Sequence, residues 1–227
     1  MPQGRPWVSI LAAASFLLMA FSLYLIFMWV PTAQEEAGGI AQRIFYFHVP
    51  SAWVSFLAFF VTFVGGIVYL WKRDVTWDRL AYSSAEIGVL FTTLVLITGP
   101  IWAKPVWGAW WVWDPRLTTT LVLWLIYVAY LMVRAYAPEK EQGARFAAVV
   151  GIIGFFDVPI VFFAIRWWRT QHPQPVFESA GLAPEMLFTF LVSLAAFTAL
   201  YFLLLAHRLA LQGMADEVEE MQQILAE

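Results

Sequence analysis

Six stretches of this sequence run for about 20 residues with almost no charge, the length of helix that crosses the hydrocarbon core of a bilayer. They cover roughly 8–30, 50–71, 80–102, 117–134, 146–165 and 186–206. Backbone amides in hydrocarbon must be satisfied within a helix or a closed barrel, and long apolar runs without strict alternation indicate helices. The predicted architecture is therefore an all-α integral membrane protein, a bundle of six transmembrane helices. Six spans in 227 residues leave no room for a soluble domain, so 1–227 is read as one six-span membrane domain with a tail at 207–227. A mean hydropathy of +0.72 agrees. The stretch after Arg5 is too long for the apolar part of a signal peptide, and no small-residue cleavage site follows "YLIFMWV", so it is read as a retained first span.

Composition closes off several chemistries. There is no cysteine, so the chain cannot form a disulfide, a thiolate metal site or a thioether by itself. A GxxxxGK[ST] phosphate loop is absent, which assigns any ATP-driven step to a partner. The net charge of -3, without a basic cluster, points away from nucleic acid.

An even number of spans puts both termini on one face and loops 1, 3 and 5 on the other. Arg5, Lys72, Arg73, Arg79, Arg134, Lys140, Arg145 and Arg208 flank the terminal face, against Arg43, Lys104, Arg116, Arg166 and Arg169 opposite. The bias favours cytoplasmic termini. The two terminal-side loops, about 72–79 and 135–145, are short charged connectors. The outer loops, about 31–49, 103–116 and 166–185, collect histidine, arginine and tryptophan instead.

The segment "KPVWGAWWVWDPR" places Trp107, Trp110, Trp111 and Trp113 in one loop. Trp29, Trp53, Trp71 and Trp102 fit an ordinary interfacial belt. Four loop indoles left in water would forfeit on the order of 15 kcal/mol at about 25 cal/mol per Å². As a helix, Trp107, Trp110 and Trp111 would share a face; as extended chain, Trp111 and Trp113 would. Either arrangement makes an apolar plate for lipid headgroups, another subunit or a planar ligand. Asp114 and Pro115 read as the N-cap and first residue of the fourth helix. Arg116 then stands in a first turn, where the helix dipole disfavours a cation, and this suggests a nearby anion.

Of three histidines, His207 ends the last span beside Arg208 and needs no special role. His48, in "RIFYFHVPSAW", and His172, in "RWWRTQHPQP", lie on the outer face. Zinc would want three or four ligands, which these loops do not assemble. Heme needs one or two axial imidazoles, a flat apolar surface and cations for its propionates, and the outer loops carry all three. No histidine lies in mid-membrane, where the ligands of electron-transfer cytochromes b project.

"WGAWWVWDPRLT", preceded by "GPIWAKPV", resembles the WWD signature of heme-handling proteins of cytochrome c maturation. With "YFHVPSAW", "RWWRTQH", six spans and this length, nearly the whole chain resembles the heme exporter protein C family. The resemblance implies that His48 and His172 are axial ligands of heme b iron. It implies that Trp107, Trp110, Trp111, Trp113 and Asp114 form the heme-handling surface. It also implies work alongside CcmA, CcmB and CcmD subunits of an ABC-type complex in the bacterial cytoplasmic membrane, with heme loaded onto the periplasmic chaperone CcmE. Arg43, Arg116 and Arg166 are the candidate propionate partners, with Lys104 and Arg169 behind them. Such a protein orients heme and supplies no side-chain acid or base.

Two further readings compete with this one. A heme-independent scaffold would use the aromatic loop only to dock a periplasmic partner, and a small-solute transporter would need paired broken helices, of which the sequence shows no sign. Asp157 in "FFDVPIVFF" is deep enough to be functional or to accommodate a kink at Pro159. Met214, Val218, Met221 and Leu225 recur at helical spacing, as for a docking helix or a solvated extension.

Overall fold

The computed structural model describes residues 6–34, 38–173 and 181–226, all helical or connecting. Helices α1 (Pro6–Tyr24), α2 (Phe45–Lys72), α3 (Val75–Trp107), α4 (Pro115–Tyr136), α5 (Lys140–Phe155), α6 (Asp157–Trp167) and α7 (Pro184–Ala226) follow in order. Among the described residues, six helical segments are long and apolar enough to cross a membrane, α5 and α6 together making the fifth. The protein is an all-α integral membrane protein.

Helix α2 is the centre of the bundle, packed on α3, α5 and α7, while α1 lies against α7 and α4 against α3, α5 and α6. Small residues let these helices approach, as membrane bundles require. A Cβ on Gly88 of α3 would fall 2.4 Å from the Phe59 ring of α2, so the glycine makes room for that ring. Phe59 in turn stacks on Tyr127 of α4 at 3.7 Å. Side-chain hydrogen bonds join the helices as well. Ser84 donates to the Ala58 carbonyl and shares a 2.8 Å bond with Tyr201 of α7, and Trp124 donates to Thr93 at 2.8 Å.

The break in the fifth span comes at Phe156, three residues before Pro159. Pro159 has no N–H for the Phe155 carbonyl, so the ladder ends there and the chain restarts as α6 with Asp157 in its first turn. Asp157 Oδ2 is buried without a hydrogen-bond partner among the described residues.

At the end of the bundle that holds the α2–α3 and α4–α5 turns, the charges pair. Arg134 reaches both oxygens of Asp78 at 2.8 and 2.9 Å, and Arg208 grips both oxygens of Glu86. Helix α7 continues through the predicted tail, with Asp216 on Arg79 at 2.7 Å and Lys140 bonded to Glu219. The stretch is tied back to α3 and α5, although Val218, Met221 and Leu225 stay exposed.

Candidate functional site

The opposite end gathers the three loops that the parity of the spans assigns to one face. The first contributes a tight turn. Gly38 and Gly39, both at positive φ, admit the chain to a 3-10 turn, Gly39–Ile44, which carries Arg43 and runs directly into α2. Helix α2 therefore begins five residues earlier than the sequence suggests, and His48 sits in its first turn. Pro50 removes one bond close to the helix start and does not stop the helix. His48 Nδ1 lies 2.9 Å from Thr98 Oγ1 of α3, and its ring meets Trp102 edge-on at 5.9 Å.

Helix α3 persists through Pro100 and Pro105 to Trp107 and is closed by Gly108 at φ 75, with Lys104 Nζ capping the Gly108 carbonyl at 2.9 Å. A helical face of Trp107, Trp110 and Trp111 is therefore not formed. Residues 109–114 are non-helical, and Trp111 and Trp113 meet edge to face at 5.8 Å. Trp110 and Trp113 are 58% and 76% exposed, while Trp107 and Trp111 are half-buried. The loop presents two of its four indoles outward and seats the other two.

Asp114 is buried and does more than the expected capping. One oxygen accepts from the Arg116 amide at 2.9 Å, starting α4. The other accepts from the Gln171 amide at 2.9 Å and from the Thr170 hydroxyl. Thr170 Oγ1 also accepts from the His172 amide at 3.0 Å. One carboxylate thus clamps the tryptophan loop to the loop that carries His172. Thr170 and Gln171 stand inside the "RWWRTQH" stretch, but nothing in the sequence assigns them a role of their own beside His172.

His172 is half-buried, and its Nδ1 lies 3.0 Å from the Pro173 carbonyl. Burial first, and then the Arg116 charge, lower its pKa from 6.5 to about 4, against smaller opposing effects of the Pro173 carbonyl and Asp114. The imidazole is neutral at neutral pH, the form that ligates a metal. His48, His172 and Arg116 lie within electrostatic reach of one another, so the fold brings both histidines and one candidate cation together.

The other cations differ. Arg43 Nε is buried without a hydrogen-bond partner among the described residues. Arg166 lies over the rings of Phe162 and Phe163 at 5.9 and 5.3 Å and is engaged along its own helix. Arg169 lines an open groove of about 350 Å³ with Val112, Trp113, Asp114, Pro115, Thr170 and Gln171.

No group of three or more His, Cys, Asp or Glu among the described residues is arranged to hold a bare metal ion. Two imidazoles, exposed indoles and an unsatisfied guanidinium fit a metal carried by a flat anionic ring, which needs axial ligands alone. Fold and site together define a class: a multi-span membrane protein with a two-histidine, tryptophan-rich surface at one end. Within that class, residues 3–224 match the family described as heme exporter protein C, and the chain belongs to that family. It is 36% identical over 199 residues to the heme exporter protein C of Bradyrhizobium diazoefficiens, covering 86% of this chain and 73% of that one. The Escherichia coli K12 heme exporter protein C is 31% identical over 182 residues, 80% of this chain and 72% of its own. A putative cytochrome c biosynthesis ccmC-like mitochondrial protein of Arabidopsis thaliana is 30% identical over 225 residues, 97% and 85% of the two chains.

Proposed function

We propose that the protein handles heme for cytochrome c maturation, binding heme b at the three-loop end and presenting it to a CcmE-type chaperone. His48 and His172 ligate the iron axially, the outward indoles cover the macrocycle, and Arg43 and Arg116 hold the propionates. The observation that carries this reading is the Asp114 clamp, which ties the tryptophan loop to the His172 loop and holds that imidazole near His48. Arg166 joins the propionate site only if it leaves the Phe162 and Phe163 rings.

The site lies on the periplasmic face of the bacterial cytoplasmic membrane, with both termini in the cytoplasm, in agreement with the bias of basic residues. CcmA, CcmB and CcmD subunits supply the ATP-driven part. Heme brings the iron and the vinyl edge at which a chaperone histidine reacts. This chain binds and orients it, and one axial histidine must release before transfer.

Heme-loaded and heme-free protein, each mixed with purified chaperone, test the proposal. Capture that depends on heme, followed by movement of heme to the chaperone, supports it. Capture by heme-free protein with full affinity, and no transfer, replaces it with the scaffold reading.

A further inference from the structure

A histidine that ligates through one ring nitrogen must carry its proton on the other, and the partner of that second nitrogen decides which is which. His48 Nδ1 lies 2.9 Å from Thr98 Oγ1, and Thr98 Oγ1 lies 2.7 Å from the Leu94 carbonyl one turn earlier on α3. A hydroxyl has one proton. If that proton pointed at His48, two oxygens would face each other at 2.7 Å with no hydrogen between them, an electrostatic repulsion. With the proton donated to Leu94, the hydroxyl lone pair is turned to His48 and Nδ1–H donates to it. Every group in the chain Leu94, Thr98, His48 is then satisfied.

We infer that Thr98 is a positioning residue that fixes His48 as the Nδ1–H tautomer, leaving Nε2 as the nitrogen with a free lone pair for the iron. Gly99, the next residue, keeps the backbone close: a Cβ there would stand 3.3 Å from His48 Cε1. His172 obeys the same rule by another route. Its Nδ1 faces the Pro173 carbonyl at 3.0 Å, and a carbonyl only accepts, so Nδ1 carries the proton and Nε2 the lone pair. The two imidazoles come from different elements, and each is left with Nε2 unprotonated.

The inference rests on the heme reading for the role of Nε2 but not for the tautomer itself. Nitrogen-15 NMR of histidine-labelled, heme-free protein reads the tautomer directly. His48 is expected as Nδ1–H in the native protein and in Thr98→Ser, and as a mixture in Thr98→Val. In heme-loaded protein, Thr98→Val is expected to weaken heme binding about 10- to 100-fold and to shift the reduction midpoint, with Thr98→Ser restoring both. An Nε2–H tautomer in native protein overturns the inference. So does a Thr98→Val variant that keeps the native spectrum, midpoint and affinity while His48→Ala loses heme. If His48→Ala keeps its heme unaltered, the heme reading falls, the ligand role of Nε2 falls with it, and the NMR result alone decides the tautomer.

Discussion

The two ends of the bundle treat charge in opposite ways. At the end with the short turns, Asp78 meets Arg134, Glu86 meets Arg208, and Asp216 and Glu219 meet Arg79 and Lys140. At the three-loop end, Arg43, Arg116 and Arg169 form no ion pair among the described residues, and the one buried carboxylate, Asp114, is spent on amides and a hydroxyl. Internal pairing fixes a structure; in the proposed function the unpaired arginines are the binding surface for the propionates. The contrast separates residues whose loss loosens the protein from residues whose loss empties it.

The largest effect on stability belongs to the paired end. Asp78→Ala leaves Arg134 partly buried without its partner, which costs about 3–5 kcal/mol for a buried pair. Thermal unfolding in detergent should show a large drop, with the heme spectrum of surviving folded protein unchanged. An altered spectrum would mean that the ends are coupled and the division is false.

Asp114→Ala crosses the division. It removes a helix N-cap worth about 1 kcal/mol and charge-assisted bonds worth about 1.5–3 kcal/mol. Both effects are local, so hydrogen exchange should rise at Thr170, Gln171 and His172 and heme binding should weaken, while the α7 contacts with α3 and α5 keep their protection. Unchanged exchange in the His172 loop would break the clamp.

Arg43→Gln and Arg116→Gln should each leave unfolding nearly unaffected and weaken heme binding about tenfold or more, the worth of a hydrogen bond to a charged group. Heme titration checks this. A stability loss as large as that of Asp78→Ala would show these arginines to be structural.

The smallest effect is a pH dependence. The pKa of His172 falls from 6.5 to about 4 in the folded protein. Above 6.5 the His172 imidazole is neutral whether the loop is open or closed, and nothing changes. As pH falls from about 6.5 to about 4, the open loop takes up the proton first, so the closed loop loses stability across that window and no more below it. Exchange of the heme-free loop followed against pH should show this; stability constant between pH 7 and 4 would contradict it.

What was legible in the sequence was whatever repeats along one segment. Apolar runs gave the six spans, Asp-Pro gave the start of α4, and parity put His48, His172 and the tryptophan loop on one face. Boundaries shifted where helices tolerate proline: α2 starts before Pro50 and α3 runs through Pro100 and Pro105, whereas the fifth span does break, at Phe156, ahead of Pro159. The supports of the site were not legible at all. Thr98 lies 50 residues from His48, and Thr170 lies 56 from Asp114, and each pair meets only because separate segments are brought side by side. Tryptophan count marks a surface, but only folding decides that Trp110 and Trp113 face out while Trp107 and Trp111 are seated.

In the proposed function His48 and His172 share one iron. The most direct measurement is the optical and electron paramagnetic resonance spectrum of heme-loaded protein beside His48→Ala and His172→Ala. A low-spin bis-histidine signature is expected in the native protein, with its loss in each variant. An identical heme signature in all three proteins would contradict it.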